Sequence, residues 1–230
     1  LFHGENSYDS QQKVTFWKKH FSDKHGPDAL EIIDGSKLDL PNFLTNIESP
    51  PFLSEKRLVI VKGFLSQKSS EKHKDKMKAV ATSLKKKTDE CILVFHENKS
   101  ADKRTSLYKK LKQVATVEEF KTPEGNELSN WILKKSKEEN LKIDFPTANF
   151  LAQYCGESLW TISNEIKKLK TFADTKPVNK EMIQSLCTPS IHASIFKLTD
   201  QLSQKSLQQS LKTVEELADS GEDLIRVFFM

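Results

Sequence analysis

The chain has 230 residues, 37% of them hydrophobic and 30% charged, with a net charge of +4. That length predicts one large or two smaller domains, and the composition predicts hydrophobic cores under a well-solvated surface. No apolar run approaches the roughly 20 residues of a membrane helix and no leader pattern opens the chain, which sets aside membrane-spanning and secreted classes and predicts a cytoplasmic location. Cys91, Cys155 and Cys187 lie far apart without CxxC or zinc spacing, so reduced thiols, no metal and no cofactor are expected.

Up to about residue 120, short apolar runs alternate with amphipathic stretches. Leu1-Phe2 reads as the tail of a strand, and Asn6 or Ser7 caps a helix with Val14, Trp17 and Phe21 on one face. Leu30 to Ile33 is a second strand, stopped by Asp34-Gly35, and Pro41 opens a short helix carrying Phe43, Leu44 and Ile47. The third strand, Leu58 to Val61, is a continuous β-branched and aliphatic run, the pattern of a strand covered on both faces. A lysine-rich helix follows with Met77, Val80, Ala81 and Leu84 at helical spacing. Cys91 to Phe95 is a fourth strand, Leu107, Leu111 and Val114 mark a helix, and Thr116 to Phe120 is a fifth strand. This alternation predicts a parallel sheet with helices on its faces.

Beyond Thr122-Pro123-Glu124-Gly125 the pattern is helical only. Leu128, Trp131 and Ile132 start one stripe; a helix around Ala148 to Tyr154 ends at Gly156; Leu159, Ile162, Ile166 and Leu169 share another face; Ile183 and Leu186 sit on a short helix. After Thr188-Pro189, two helices carry Ile195, Leu198, Leu202 and then Leu207, Leu211, Val214, Leu217. Two helices are too few to bury those faces. The chain opens at Leu1 and stops at Met230 inside LIRVFFM, so a longer natural protein with a further helical domain is expected.

A parallel α/β sheet followed by a helical bundle is the outline of the AAA+ ATPases. A P-loop requires GxxxxGK[ST] after the first strand, with glycines for close backbone approach, Lys for the phosphates and Ser or Thr for magnesium. That place reads Gly4-Glu5-Asn6-Ser7, a degenerate loop with one glycine, and the seven glycines of the chain are too far apart to supply the motif elsewhere. The acidic pair that holds magnesium at the end of the third strand is replaced by Lys62-Gly63. His96-Glu97 closes the fourth strand at the sensor position and reads as a solvated loop entry rather than a dyad. Trp160 stands where an active bundle places a phosphate-sensing Arg. The expected result is an ATPase scaffold without ATPase chemistry. No GxSxG or HExxH motif suggests another reaction, and the six histidines read as surface or hydrogen-bonded residues.

Two features remain. From Lys62 to Lys87, nine lysines including Lys68, Lys74, Lys78 and Lys85 face only Glu71 and Asp75, a local charge of +7, and Lys103, Arg104 and Lys109 form a second basic stretch. These fit either a solvated helix surface or contacts to DNA or an acidic partner. The other feature is SPPFLS at 49–54, which puts Phe52 and Leu53 in a proline-stiffened turn. Either they plug the sheet's own core or they are presented to a partner.

The order and spacing of LFHGENSY, PPFLSEKRLVIVKG, CILVFHENKSADKRTSLYKKL, FKTPEGNELSNWILKKSKEENLKI, GESLWTISNEIKKL, IFKLTDQL and LADSGEDLI resemble the delta-subunit family of bacterial DNA polymerase III clamp loaders, over essentially the whole chain. No single motif is specific; their succession is. The resemblance implies an AAA+-like, ATPase-inactive α/β domain over 1–122, a helical lid-type bundle over 123–188 and the start of a helical collar domain over 189–230. It also implies a replisome-associated subunit of a DNA-directed DNA polymerase (nucleotidyltransferase) complex, without catalysis of its own. Such subunits bind the ring-shaped sliding clamp (beta) and hold one interface open. Neighbouring gamma/tau and delta prime subunits complete the assembly, ATP is bound and hydrolysed by neighbours, and the clamp is placed on primed DNA. The implied clamp contact falls on Pro51 and Phe52, with Leu53 beside them. A leucine is usual in some members at the first of these positions. The readings from other classes are a nucleic-acid-binding module using the lysine-rich helices and a nucleotide-binding AAA+ ATPase.

Overall fold

The computed structural model describes residues 1–51, 54–67, 70–174 and 176–219. Phe52, Leu53, Lys68 and the segment 220–230 lie outside the described residues. The chain forms two compact units, Leu1–Thr122 and Pro123–Met230.

In the first unit the elements are β1 (Phe2–Gly4), α1 (Ser7–His25), β2 (Leu30–Asp34), α2 (Leu40–Glu48), β3 (Arg57–Lys62), α3 (Glu71–Ser83), β4 (Cys91–His96), α4 (Ser106–Val114) and β5 (Glu118–Phe120). Asn6, Ser70 and Thr105 cap α1, α3 and α4, each accepting an amide of the first turn. The five strands pair in parallel in the order β2-β3-β4-β1-β5. Steps β2 to β3 to β4 and β4 to β5 run one way across the sheet and β1 to β2 runs the other. Right-handed crossovers therefore put α2, α3 and α4 on one face and α1 on the opposite face. The two cores agree: Val59, Val61 and Phe95 pack with Phe43, Ile47, Met77, Val80, Leu107 and Leu111, whereas Leu58, Ile60 and Val94 pack with Val14 and Phe21. Leu58 to Val61 are fully buried, as a strand with both faces covered must be.

Three sequence expectations shift. The fifth strand is Glu118–Phe120 rather than Thr116 to Phe120, because its partner β1 offers only Phe2, His3 and Gly4 to pair with. Trp17 does not share the burial of Val14 and Phe21; it sits half exposed at the edge of that face, edge-on to Phe2. His3, His73 and His96 are buried, and the Nε2 atoms of His3 and His73 have no hydrogen-bond partner among the described residues. The reading of every histidine as superficial or satisfied therefore does not hold.

The second unit comprises α5 (Gly125–Glu138), α6 (Phe145–Cys155), α7 (Leu159–Ala173), α8 (Lys180–Leu186), α9 (Ile191–Ser203) and α10 (Leu207–Asp219). Leu128, Ile132, Leu151, Ile162, Ile166, Leu169 and Ile183 are nearly fully buried. Cys155 and Cys187, far apart in sequence, come together here as free buried thiols, and the Cys155 sulfur and burial both hold the Cys187 thiol well above its usual pKa. Helix α9 buries no residue fully, and Phe196, Leu202, Leu207 and Leu211 stay exposed on α9 and α10. Among the described residues no helix is long and apolar enough to cross a membrane.

Candidate functional site

The degenerate loop after β1 is closed by its own protein contacts. A phosphate cradle needs backbone amides aimed outward at the helix N-terminus. Here Gly4 N donates to Lys99 O at 3.2 Å, Asn6 N to Phe120 O at 3.1 Å and Ser7 N to Glu5 O at 2.9 Å. The Asn6 side chain accepts the Asp9 amide at 3.0 Å and donates to the Asp9 carboxylate and to Lys121 O. Gly4 has φ of 137°, and a Cβ there would lie 2.1 Å from Phe120 O. The carbonyl edge of β5 thus occupies the space beside the loop, and Asn6 with Asp9 finishes the helix that a phosphate would otherwise cap.

At the end of β3, Lys62 is half-buried and Gly63 N donates to His96 O at 2.9 Å. The neighbouring Glu97 is fully buried. Its carboxylate accepts Leu65 N at 2.8 Å, Ser66 N at 3.0 Å and the Ser66 hydroxyl at 2.5 Å. Burial pushes its pKa up, and these hydrogen bonds oppose that shift. His96 Nε2 lies 3.3 Å from Ser10 Oγ, and burial, assisted by the Lys62 charge, holds its pKa down. The His96-Glu97 pair is therefore not a solvated loop entry. It is a structural clasp that fixes the loop following β3, with Phe64 completely buried and a Cβ on Gly35 only 2.7 Å from Phe64 Cα. Glu97 was invisible to local sequence reading because its partners are 31 and 32 residues away. Among the described residues no group of His, Cys, Asp and Glu has the arrangement of a metal centre.

The SPPFLS turn is held at both ends. Helix α2 stops at Glu48, Ser49 N closes onto Thr45 O at 3.0 Å, and Pro50 and Pro51 cannot continue the helix. The carbonyls that α2 leaves open find partners downstream: Arg57 Nη1 donates to Asn46 O at 2.9 Å and Thr88 N to Ile47 O at 3.1 Å. On the far side, Ser54 Oγ donates to Lys56 O at 2.8 Å, and Arg57 N donates to Glu90 O at 2.8 Å as β3 begins. Pro51 is partly exposed; Phe52 and Leu53, which follow it, lie outside the described residues. Arg57 is the positioning residue that sequence reading missed.

The basic residues divide. Lys74, Lys78 and Arg104 come together around a cleft of about 390 Å³ with Met77, Asp102, Thr105 and Ser106. Each of those three cations has a carboxylate partner: Glu71 at 2.7 Å, Asp75 at 3.3 Å and, through two nitrogens of Arg104, Asp102 at about 3 Å. Lys103 pairs with Glu119 on β5 at 3.1 Å. Lys85 and Lys109 are exposed and have no ion pair among the described residues. In the helical unit, Trp160 is exposed in the first turn of α7.

Comparison with known proteins follows the same outline. The sequence profile of the family described as DNA polymerase III, delta subunit matches residues 4–121. The chain is similar to the DNA polymerase III subunit delta of Bacillus subtilis (strain 168), 26% identical over 231 residues, covering 98% of this chain and 67% of that protein. It is also similar to the probable DNA polymerase III subunit delta of Aquifex aeolicus (strain VF5), 23% identical over 232 residues, covering 96% and 64%. Among solved structures, the Bacillus subtilis DNA clamp loader delta protein superposes with a TM-score of 0.69 at 24% identity, over 98% of this chain and 68% of that one. That last likeness concerns the fold. The chain spans about two thirds of the length of these relatives.

Proposed function

The chain belongs to the DNA polymerase III delta subunit family, and on that premise we propose that it binds a sliding clamp through the 49–54 turn and holds it open for loading onto primed DNA, without hydrolysing ATP itself. The observation that carries the reading is that Arg57 ties the two flanks of the turn together, its guanidinium donating to Asn46 O before the turn and its amide to Glu90 O as β3 begins after it. Flanks held in this way limit the freedom that the segment between them has to lose on binding, and preorganisation of that kind favours affinity. Burying one Phe and one Leu side chain in a partner's pocket contributes roughly 3 to 6 kcal/mol before association costs, the scale of a hot-spot anchor. Phe52 is the principal contact, Pro51 shapes the turn, and Leu53 either joins the contact or packs beneath it.

The closed loop at Gly4, Glu5, Asn6 and Ser7 supports the absence of nucleotide chemistry, since three of its amides already have protein acceptors. The proposal includes gamma/tau and delta prime subunits as neighbours that supply ATP hydrolysis, a division of the helical half into a lid-type bundle over 123–188 and a collar segment from 189, and a replisome-associated location. Size-exclusion chromatography with the cognate clamp tests it: the chain is expected to co-elute with the clamp, and separate elution at micromolar concentrations contradicts it.

A second role rests on Lys85 and Lys109, exposed and without carboxylate partners among the described residues. They are more available to DNA phosphates passing through an assembled loader than the paired Lys74, Lys78, Lys103 and Arg104.

A further inference from the structure

The face of the sheet that carries α1 is incompletely covered. Five strands about 4.8 Å apart make a sheet nearly 20 Å wide, and one helix with its side chains covers about 10 Å of it. Ile32 on β2, on the same face as Ile60, is accordingly 45% exposed. On the same face the C-terminal half of α1 turns aromatic side chains outward: Phe16 is 67% exposed and its ring stacks on His20 at 5.9 Å, while Trp17 is held edge-on against Phe2. Together with Phe21, Ile92, Lys24, His25 and Lys56 they line a cleft of about 300 Å³.

The floor of the cleft is made of rings and one isoleucine, and its volume suits a single aromatic side chain. Its rim is cationic. Lys24 and Lys56 make no ion pair among the described residues, no carboxylate lines the cleft, and Lys19 lies exposed on the same helix. We propose that this cleft docks an acidic peptide segment of a partner protein, with an aromatic side chain seated between Phe16, Trp17 and Ile92 and flanking carboxylates on Lys24 and Lys56. A nucleobase would stack on the same rings, and the oligothymidylate arm of the test below separates it from the peptide. Pre-set aromatics with an unneutralised rim are the arrangement that favours an apolar anchor steered by opposite charge.

The test uses a fluorescein-labelled synthetic peptide with one Phe among Asp and Glu residues, followed by anisotropy against this chain at low salt. Binding is expected, weakening about tenfold when the peptide Phe is replaced by Ala and about fivefold or more with Lys24→Glu. Phe16→Ser is expected to weaken it similarly with an unchanged melting curve, since Phe16 is exposed. Phe52→Ala is expected to leave the binding unchanged, which separates this cleft from the clamp contact. Equal binding of the Ala peptide, indifference to both Lys24→Glu and Phe16→Ser, tighter binding of oligothymidylate at the same residues, or a self-association of the chain abolished by Phe16→Ser would each overturn the proposal.

Discussion

The Glu97 carboxylate at the end of β4 accepts the Leu65 amide at 2.8 Å, joining residues 32 apart in sequence and closing the loop at the end of β3. The same carboxylate also accepts the Ser66 amide and hydroxyl, so a buried acid rests on two backbone amides and a hydroxyl. Glu97→Ala leaves those donors buried without an acceptor and is expected to destabilise the first unit by about 2–4 kcal/mol. Glu97→Gln, which keeps one acceptor oxygen, is expected to cost less. Urea unfolding of both variants checks this; a loss for Glu97→Ala below about 0.5 kcal/mol contradicts the clasp.

Acid sensitivity follows from the buried histidines. Burial lowers the pKa of His3, His73 and His96, with Glu119 opposing the shift at His3 and the Lys62 charge adding to it at His96. The unfolded chain therefore binds more protons than the folded one as pH falls below about 6.5, and stability falls with it. Glu97 works in the opposite sense: its pKa is raised, so its ionisation weakens the fold as pH rises from about 4.5 through the folded value. Denaturation midpoints are expected to drop between pH about 7 and about 5.5, and less so in a His96→Gln variant. A flat profile across that range contradicts the buried neutral imidazoles.

Nucleotide should not stabilise the molecule. With the amides of Gly4, Asn6 and Ser7 engaged, millimolar ATP with magnesium is expected to leave the melting temperature unchanged, because only a ligand that prefers the folded state raises it. Asn6→Ala removes the cap of α1 and is expected to cost about 1 kcal/mol without creating a nucleotide site. A reproducible ATP-dependent rise in melting temperature contradicts the closed loop.

Much of this fold was legible. The run Leu58 to Val61 announced a doubly covered strand, Asn6 or Ser7 after the first strand announced a capped helix, with Asn6 the cap in the structure, and the spacing of Met77 and Val80 set the buried face of α3. The rest depended on contacts distant in sequence. His96-Glu97 reads as a solvated loop entry until Leu65 and Ser66 come beside it. Arg57 reads as the last charged residue before a strand until Asn46 O is seen at its guanidinium. Trp17 reads as part of a helix's buried stripe, and its half exposure depends on where a lone helix sits on the sheet. The pairing of Lys74 with Glu71 and Lys78 with Asp75, by contrast, was open to inspection at the i, i+3 spacing.

DNA binding by the isolated chain is expected to be weak and strongly salt dependent. Lys85→Ala and Lys109→Ala are each expected to reduce the slope of log affinity against log salt by about 1, while Lys103→Ala, whose ammonium is already committed to Glu119, changes it less. Equal effects at all three positions contradict the ranking by ion pairing.

Arg57 connects the stability of the turn to its use. Arg57→Ala removes the donor to Asn46 O and is expected to cost about 1 kcal/mol of stability while weakening clamp binding several-fold, because the turn is then less preorganised.

The most direct measurement is a titration of the cognate clamp with this chain and with its Phe52→Ala variant, alongside their melting curves. The account predicts that Phe52→Ala weakens clamp binding by about 2 kcal/mol or more, roughly thirtyfold, with a melting temperature nearly unchanged. A drop of several degrees in melting temperature with clamp affinity retained would show that Phe52 belongs to the core of the sheet, and would contradict the role assigned to the turn.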